Sequence, residues 1–289
     1  MTPETFFLVV AAAALHAVWN LISKKAAAAA GHFVFSYRLL SAVLYAPWVL
    51  YILLVDGMTW SVPVVVFIAL SSVLHLGYSL CLQWGYHAAD LSVVYPIARG
   101  TGPLLSSLAA FIWLGEHPST FGIAGILSVV GGILLIASGG NIRRYAQPEA
   151  WVGVRWGLFI GLFIAAYTVS DAYTVKVLLV APVILDWLSA LGNAALMAPR
   201  AWIHRVDMRR QMRGKWGYAF IVGLLSPMAY ILVLYALQMG AQVSLVAPLR
   251  EMSLMMATVA GFFILKEQAS FARVAGCVII VAGVILLSW

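Results

Sequence analysis

The sequence has very little charge: only 9% of its 289 residues are Asp, Glu, Lys or Arg, whereas 64% are hydrophobic. Soluble domains carry about 25% charged residues, so this chain has too little charge to cover a surface that faces water. Its mean hydropathy of +0.99 points the same way. The composition therefore excludes a soluble enzyme or regulator, and we expect an all-α membrane protein.

Cysteines and enzyme signatures are equally scarce. The two cysteines, Cys81 and Cys277, lie within apolar stretches and have no partner at CxxC or metal-ligand spacing, so we interpret them as buried thiols. The sequence contains no HExxH, GxSxG, Walker A or CxxC motif. We therefore expect no catalytic residues, no metal and no cofactor. Without a nucleotide site, any pumping has to draw on an ion gradient or a substrate gradient.

The sequence does contain a series of apolar runs of about twenty residues, the length that a 30 Å hydrocarbon core requires. Most connections between the runs are very short, such as 115–119 and 266–270, and short connections make adjacent helices antiparallel neighbours. The sequence therefore predicts ten transmembrane helices, near 4–22, 33–54, 63–86, 91–114, 120–139, 155–177, 182–203, 216–237, 243–265 and 271–289.

The two halves of the chain resemble each other. At a shift of about 151 residues Lys25 aligns with Lys176 and Arg99 with Arg250, and other polar residues, glycines and prolines match in the same order. Apolar residues match anywhere by chance, so the ordered polar and proline matches are what indicate a duplication. Because five spans per half is an odd number, the second copy enters the membrane inverted. We predict two inverted five-helix repeats, at 1–140 and 150–289, an architecture typical of secondary transporters.

The basic residues predict the orientation of the chain. Apart from Arg38, Arg99 and Arg250, which lie deep within spans, fourteen Lys and Arg remain; thirteen lie in or beside the connections after helices one, three, five, seven and nine, and Lys176 is the exception. Positive charge marks the cytoplasmic side, so both termini are predicted to lie outside. The net charge of +7 follows from this topology signal and from contact with the lipid bilayer, so we expect no nucleic-acid partner.

Ionisable side chains inside the spans are candidates for function, because each costs about 2.5–3.5 kcal/mol to insert at the centre of a helix. A structural alternative is that such residues only lock helices together, for example if Arg250 pairs with Glu251 or Asp171. Two arginines at equivalent places in an inverted pair would instead face one central cavity. Four residues stand out by this criterion: Arg99, Arg250, Glu251 and Asp171.

Prolines accompany both arginines. Arg99 lies between Pro96 and Pro103, and Arg250 follows Pro248 by two residues. A proline inside a helix removes a backbone donor and crowds the preceding turn, so we expect both helices to be kinked or locally unwound there. Free backbone groups would then lie beside a guanidinium that can bind a carboxylate or a phosphate bidentately.

Two polar helix faces and several deep tyrosines add to the candidates. His16, Trp19 and Asn20 share one face of the first helix. At the 151-residue shift this face aligns with Tyr167, Ser170 and Asp171. Such faces either line the interior or only form hydrogen bonds between helices. The tyrosines can either pack helices or wall an organic substrate: Tyr78, Tyr95, Tyr167, Tyr230 and Tyr235. His75 and His87 are isolated in the sequence, and Ser71 has no evident base.

Three stretches carry a resemblance to a known family: AxxxHAVWNLISKKA in the first helix, LxxxYPIARGTGPLLSSLAAFIWLGE in the first half and LVAPLREMSLMMATVAGFFILKE in the second. With the duplicated five-helix unit, they resemble the EamA-type branch of the drug/metabolite transporter (DMT) superfamily. The resemblance implies a central cavity between the repeats that carries amino acids, other metabolites, nucleotide sugars or drugs by exchange or with a proton. Carried over to matching positions, the cavity is lined by His16, Trp19, Asn20, Tyr95, Arg99, Tyr167, Asp171, Arg250 and Glu251, and Tyr78 is a further candidate.

The sequence thus predicts a transporter of the bacterial inner membrane for a small amphiphilic metabolite with an anionic group, such as an amino acid, an organic acid or a phosphonate. Arg99 and Arg250 would bind the anionic group, and Glu251 or Asp171 the amine or a coupling proton. We expect an Arg99→Gln variant to fold but not to transport. Metabolite efflux is the commoner direction by resemblance, and we expect a monomer.

Two alternatives stay open from the sequence. One is a flippase for a lipid-linked carrier, which would have a cavity open laterally to lipid. The other is a membrane-embedded enzyme, which His16 beside a hydroxyl such as that of Ser71 would favour.

Overall fold

All regular structure in the described part of the chain is helical. The computed structural model describes residues 1–26, 29–141, 145, 147–264 and 270–288. The predicted connection at 266–269, Arg143, Arg144, Lys266 and Trp289 lie outside these residues. The helices are α1 (Pro3–Lys25), α2 (Ala30–Val55), α3 (Val62–Ala88), α4 (Leu91–Trp113), α5 (Thr120–Ser138), α6 (Trp151–Lys176), α7 (Pro182–Ile203), α8 (Arg205–Gln211), α9 (Trp216–Gln238), α10 (Val243–Arg250), α11 (Met252–Ile264) and α12 (Phe271–Ser288).

The helices follow the predicted order with two differences. The stretch 205–211, predicted as part of a basic loop, forms the short helix α8, whose charges suit the helix dipole because Asp207 lies in its first turn. The span predicted at 243–265 is divided at Glu251 into α10 and α11, in line with the local unwinding expected beside Pro248. Two hydrogen bonds of the 3₁₀ type flank this break: Glu251 N–H donates to the Pro248 carbonyl, and Leu254 N–H donates to the Glu251 carbonyl.

Seven helical segments in the described residues are long and apolar enough to cross a membrane: Pro3–Ser23, Gly31–Val55, Val62–Leu82, Thr120–Ser138, Trp151–Lys176, Trp216–Gln238 and Val243–Ala260. Helices α4 and α7 are also long, at 23 and 22 residues, but they carry charged side chains such as Arg99 and Asp186. The protein is therefore a multi-pass membrane protein. The count of ten spans stays a prediction.

Helices of the first half pack mainly against helices of the second half: α1 lies on α9, α2 on α7, α4 on α6 and α5 on α12. The closest approach joins α5 to α12 through glycines. A Cβ atom on Gly125 would lie 2.8 Å from the carbonyl oxygen of Gly283, and one on Gly132 would lie 2.8 Å from that of Gly276. Gly125, early in α5, meets Gly283, late in α12, whereas the later Gly132 meets the earlier Gly276. The two helices are therefore antiparallel. Backbone contact of this kind is how membrane helices gain packing energy.

Prolines inside helices leave carbonyls without a donor, and neighbouring helices supply one. Pro248 frees the carbonyl of Ser244, which accepts a hydrogen bond of 3.1 Å from the Ser107 hydroxyl. In the same way the carbonyl of Gly223, four residues before a proline in α9, accepts a bond of 2.9 Å from Ser41. These bonds tie α4 to α10 and α2 to α9. By contrast, α4 is continuous through its two prolines, so of the kink or unwinding predicted at Pro96 and Pro103 the unwinding does not occur.

Candidate functional site

A buried ion pair joins the two halves at the break between α10 and α11. Arg99 Nε lies 3.1 Å from Glu251 Oε2, and both side chains are buried. Arg99 Nη2 also lies 3.1 Å from His16 Nε2 and donates to Ser253 Oγ at 3.3 Å. Because a guanidinium can only donate, His16 Nε2 is the acceptor. The Arg99 cluster (His16, Arg99, Glu251 and Ser253) therefore holds α1, α4 and α11 together.

This geometry bears on two alternatives that the sequence left open. The structural alternative paired Arg250 with Glu251 or Asp171, whereas the structure pairs Glu251 with Arg99. The enzyme alternative looked for His16 beside a hydroxyl such as that of Ser71. His16 instead contacts Arg99, and the buried Ser71 hydroxyl has no hydrogen-bond partner among the described residues.

A second polar cluster joins α3, α6 and α9. Asp171 Oδ2 accepts a hydrogen bond of 2.5 Å from the Tyr230 hydroxyl and lies 2.9 Å from His75 Nε2. The His75 ring stacks on Tyr167 with a centroid distance of 4.2 Å. His75, which is isolated in the sequence, is therefore not isolated in the structure, because its partner comes 96 residues later. We call His75, Tyr167, Asp171 and Tyr230 the Asp171 cluster.

Arg250 lies within electrostatic range of both clusters. It interacts with Glu251 and Arg99 on one side and with Tyr167 and Tyr230 on the other. Only 5% of its surface is exposed, yet it forms no ion pair and no hydrogen bond with any described residue. A buried guanidinium with unused donors is costly unless something else satisfies it. Its Nε–H in particular is buried and has no acceptor among the described residues.

Aromatic side chains surround these charges. Tyr95 lies beneath the Arg99 guanidinium at 5.7 Å from ring centroid to Cζ, and Trp19 contacts the His16 ring at 4.8 Å. Tyr78 contacts Tyr167 edge to face at 5.8 Å. The structure thus places these predicted wall residues around the two clusters. Asn20 differs from them, because its side-chain amide donates to the backbone of its own helix.

A third polar network lies at the other end of α10. Glu116, three residues beyond the end of α4, accepts hydrogen bonds from the N–H of Val243 at 2.7 Å, the N–H of Ser244 at 2.9 Å and the hydroxyl of Ser244 at 2.7 Å. Lys176 Nζ lies 3.6 Å from Glu116 and donates to the Ala241 carbonyl at 3.0 Å. A carboxylate at a helix N-terminus is favoured by the helix dipole. This Glu116 network also gives Lys176, the exception to the charge rule, a structural role.

Sequence analysis missed three residues of these networks. Glu116 was used only as a family mark, although a carboxylate directly after a helix is a recognisable signal. Asp186 satisfied the criterion of an ionisable group within a span but was passed over. It is buried in α7 and interacts electrostatically with Arg38, His75 and Asp171. Ser253 offered no signal in the sequence.

Comparison with known protein families identifies the second half of the chain. A family model described as the EamA-like transporter family matches residues 151–289. The second half of this chain is an EamA-like transporter domain. A solved crystal structure superposes on 99% of the chain and 96% of its own length, with a TM-score of 0.73 and 16% sequence identity. At that identity the likeness shows the fold alone.

The EamA-like domain supplies Asp171, Tyr230, Arg250 and Glu251, whereas His16, His75, Arg99 and Glu116 come from the first half. The candidate site is thus built between the domain and the rest of the chain. EamA-like proteins are membrane transporters of the DMT superfamily, so the resemblance found in the sequence is confirmed for residues 151–289.

Proposed function

We propose that the protein is a secondary transporter of the bacterial cytoplasmic membrane for a small amphiphilic metabolite with an anionic group, such as an amino acid, an organic acid or a phosphonate. The observation that carries the proposal is Arg250, a buried guanidinium that has no ion pair with a described residue and whose Nε–H has no hydrogen-bond acceptor among them. A carboxylate or a phosphonate matches its donors bidentately and compensates its charge.

The geometry changes the roles predicted for the two arginines. Arg99 is already neutralised by Glu251, so Arg250 is the residue that binds the anionic group. The Arg99 cluster fixes the break at Glu251 and thereby the end of α10, from which Arg250 projects. Aromatic side chains contact the organic body of the substrate: Trp19, Tyr78, Tyr95 and Tyr167.

The proposal includes alternating access by two inverted repeats. Gly125 and Gly132 of α5 are equivalent in the repeat to Gly276 and Gly283 of α12. Gly125 packs on Gly283 while Gly132 packs on Gly276, so exchanging the halves reproduces the same contacts. A twofold axis in the membrane plane produces this pattern between antiparallel helices. The helix pairs α1 with α9 and α3 with α6 are exchanged in the same way, which supports the inversion.

The Glu116 network closes one end of the pathway in this proposal. With both termini outside, the ends of α6 and α9 and the start of α10 lie at the outer face. Glu116 and Lys176 bind these segments together, so they have to separate before a substrate reaches Arg250 from outside. The eight residues of α10 connect this closure directly to the binding residue.

A Glu116→Gln variant is expected to open the outer face more often, because an amide loses the charge and one of the two accepting oxygens. A loss of about 1–3 kcal/mol corresponds to a roughly 5- to 150-fold increase in opening. The measurement is the labelling rate of Ala241→Cys by a membrane-impermeant thiol reagent, in a background without Cys81 and Cys277. Glu4→Gln, at an exposed site in α1, is the control. An unchanged labelling rate in Glu116→Gln would contradict the role in closure.

The orientation is tested with reporter enzymes. A reporter that is active only in the periplasm is expected to be active when fused after Trp289 and inactive when inserted at Gly214, in the basic connection after α8. The physical reason is the retention of Lys and Arg on the cytoplasmic side. The reverse pattern would overturn the assignment of inside and outside.

The function itself is tested by counterflow in proteoliposomes. Purified protein is assayed with a panel of amino acids, organic acids and phosphonates, together with a lipid-linked anionic carrier because a flippase was the alternative. Counterflow of an anionic metabolite, and its absence for neutral analogues of the same size, is the expected result. Transport of the lipid-linked carrier alone, or of no panel member, would refute the proposal.

A further inference from the structure

The Asp171 cluster is not needed to bind an anion, yet it is built around a buried carboxylate. Asp171 is 0% exposed. Its Oδ2 atom accepts a hydrogen bond from the Tyr230 hydroxyl and lies within hydrogen-bond distance of His75 Nε2. The Oδ1 atom has no hydrogen-bond partner among the described residues. A buried carboxylate with one oxygen left unsatisfied is costly to keep charged unless a nearby group compensates it.

We propose that the His75–Asp171 pair binds the proton that drives transport, an inference that rests on the proposed function and names its coupling site. With neutral His75, the Nε2–H donates to the Asp171 carboxylate and the pair carries one negative charge. The added proton binds His75 at Nδ1, so that an imidazolium faces a carboxylate and the net charge of the pair is zero. The proton enters from one side of the membrane and leaves to the other, and no covalent bond to carbon or redox step is involved.

Arg250 couples this proton to the anionic substrate. Tyr230, which donates to Asp171, interacts electrostatically with both Asp171 and Arg250. A bound anion adds a second negative charge near the negatively charged pair, in a medium of low dielectric constant. Protonation removes the charge of the pair, so anion and proton favour each other's binding reciprocally.

The surroundings favour this pair over the other buried carboxylates. Glu251 is ion-paired with Arg99 at 3.1 Å, so its charge already has a partner. Glu116 is bound by Val243, Ser244 and Lys176 in the same sense. Asp186 is the remaining competitor, because it interacts with Arg38 but also with His75 and Asp171. The charged and titratable groups on the helices around the pair are Arg38 on α2, Tyr78 on α3, Arg99 on α4, Tyr167 on α6, Asp186 on α7, Tyr230 on α9 and Arg250 on α10.

The position of the pair allows protonation to influence the helices that have to move. His75 lies on α3, Asp171 on α6 and Tyr230 on α9, and these helices pack against α7, α4 and α1 respectively. A change in the charge of the pair therefore alters contacts that link the first half of the chain to the EamA-like domain.

The test compares two kinds of transport by the same proteoliposomes, using the anionic metabolite with the fastest counterflow. Wild type is expected to accumulate this metabolite in response to a proton gradient at least about tenfold above equilibrium. The measured quantity is the ratio of gradient-driven accumulation to counterflow. In His75→Gln and Asp171→Asn this ratio is expected to fall to the value found for vesicles without a proton gradient. Asp207→Asn, whose carboxylate on α8 is largely exposed, is the matched control and should keep the wild-type ratio.

A second measurement covers variants that transport slowly. Detergent-solubilised wild type in weak buffer is expected to take up protons when the same metabolite is added, as reported by a pH-sensitive dye, whereas His75→Gln should take up none. A wild-type ratio in His75→Gln, or equal accumulation by wild type with and without the gradient, would overturn the inference. Loss of the ratio in Asp186→Asn alone would also overturn it, in favour of Asp186. Absence of counterflow in wild type would instead remove the proposed function itself.

Discussion

Replacing Arg250 with glutamine is expected to abolish binding of the anionic substrate and to leave the protein folded. Arg250 has no ion pair in the described residues, so its removal leaves no buried acidic partner without a counter-charge. Truncating one member of a buried, hydrogen-bonded charge pair costs about 2–5 kcal/mol, which corresponds to a loss of affinity of roughly 30-fold or more. Stability should be unchanged or slightly higher, because an uncompensated buried charge is removed.

Counterflow in proteoliposomes and thermal unfolding in detergent measure the two effects of Arg250→Gln separately. Arg205→Gln, at an exposed position of α8, is the matched control and should alter neither quantity. Arg250→Lys keeps the charge but loses the bidentate geometry, so intermediate affinity is expected. Counterflow at the wild-type rate in Arg250→Gln would show that the anionic group is bound elsewhere.

Arg99→Gln is expected to destabilise the protein by about 3–5 kcal/mol, because it leaves Glu251 as a buried charge without its partner. Glu251 is only 1% exposed, and its carboxylate faces Arg99 Nε at 3.1 Å. This expectation replaces the one drawn from the sequence, which was loss of transport in a folded protein. The loss of transport is still expected, but it follows from the collapse of the break between α10 and α11.

The double variant Arg99→Gln/Glu251→Gln separates these effects. Removing both charges takes away the unpaired carboxylate, so most of the lost stability should return. Denaturant unfolding in mixed micelles measures the free energy of unfolding for the wild type, the two single variants and the double variant. If Arg99→Gln alone is as stable as wild type, the ion pair does not hold the fold, and the assignment of the two arginines to different roles is wrong.

The positions of the helices were largely predictable, because the length and composition of an apolar run are local properties of the chain. The run at 216–237 becomes α9 over Trp216–Gln238, and the run at 91–114 becomes α4 over Leu91–Trp113. The break at Glu251 was predicted only in part. Pro248 indicated a disturbance, but the same argument applied to Pro96 and Pro103, where α4 continues. In lipid, neighbouring helices decide whether a proline breaks a helix.

The pairing of polar residues was much less predictable. His75 and Asp171 are 96 residues apart, and Glu116 is 127 residues from Val243. No local pattern relates such partners, because their distance depends on how α3, α4, α6 and α10 pack. The sequence supplied the ionisable candidates but not their contacts.

The sequence by itself determined that the chain lives in a membrane and which buried charges are costly, since both follow from composition and from the burial of a single side chain. Only the tertiary structure decided which arginine is neutralised. Glu251 directly follows Arg250, yet it pairs with Arg99 from the other half of the chain. The reason is geometric: consecutive residues in a helical stretch point in different directions, so neighbours in sequence do not face each other. Packing between the halves therefore left Arg250 without an ion pair among the described residues.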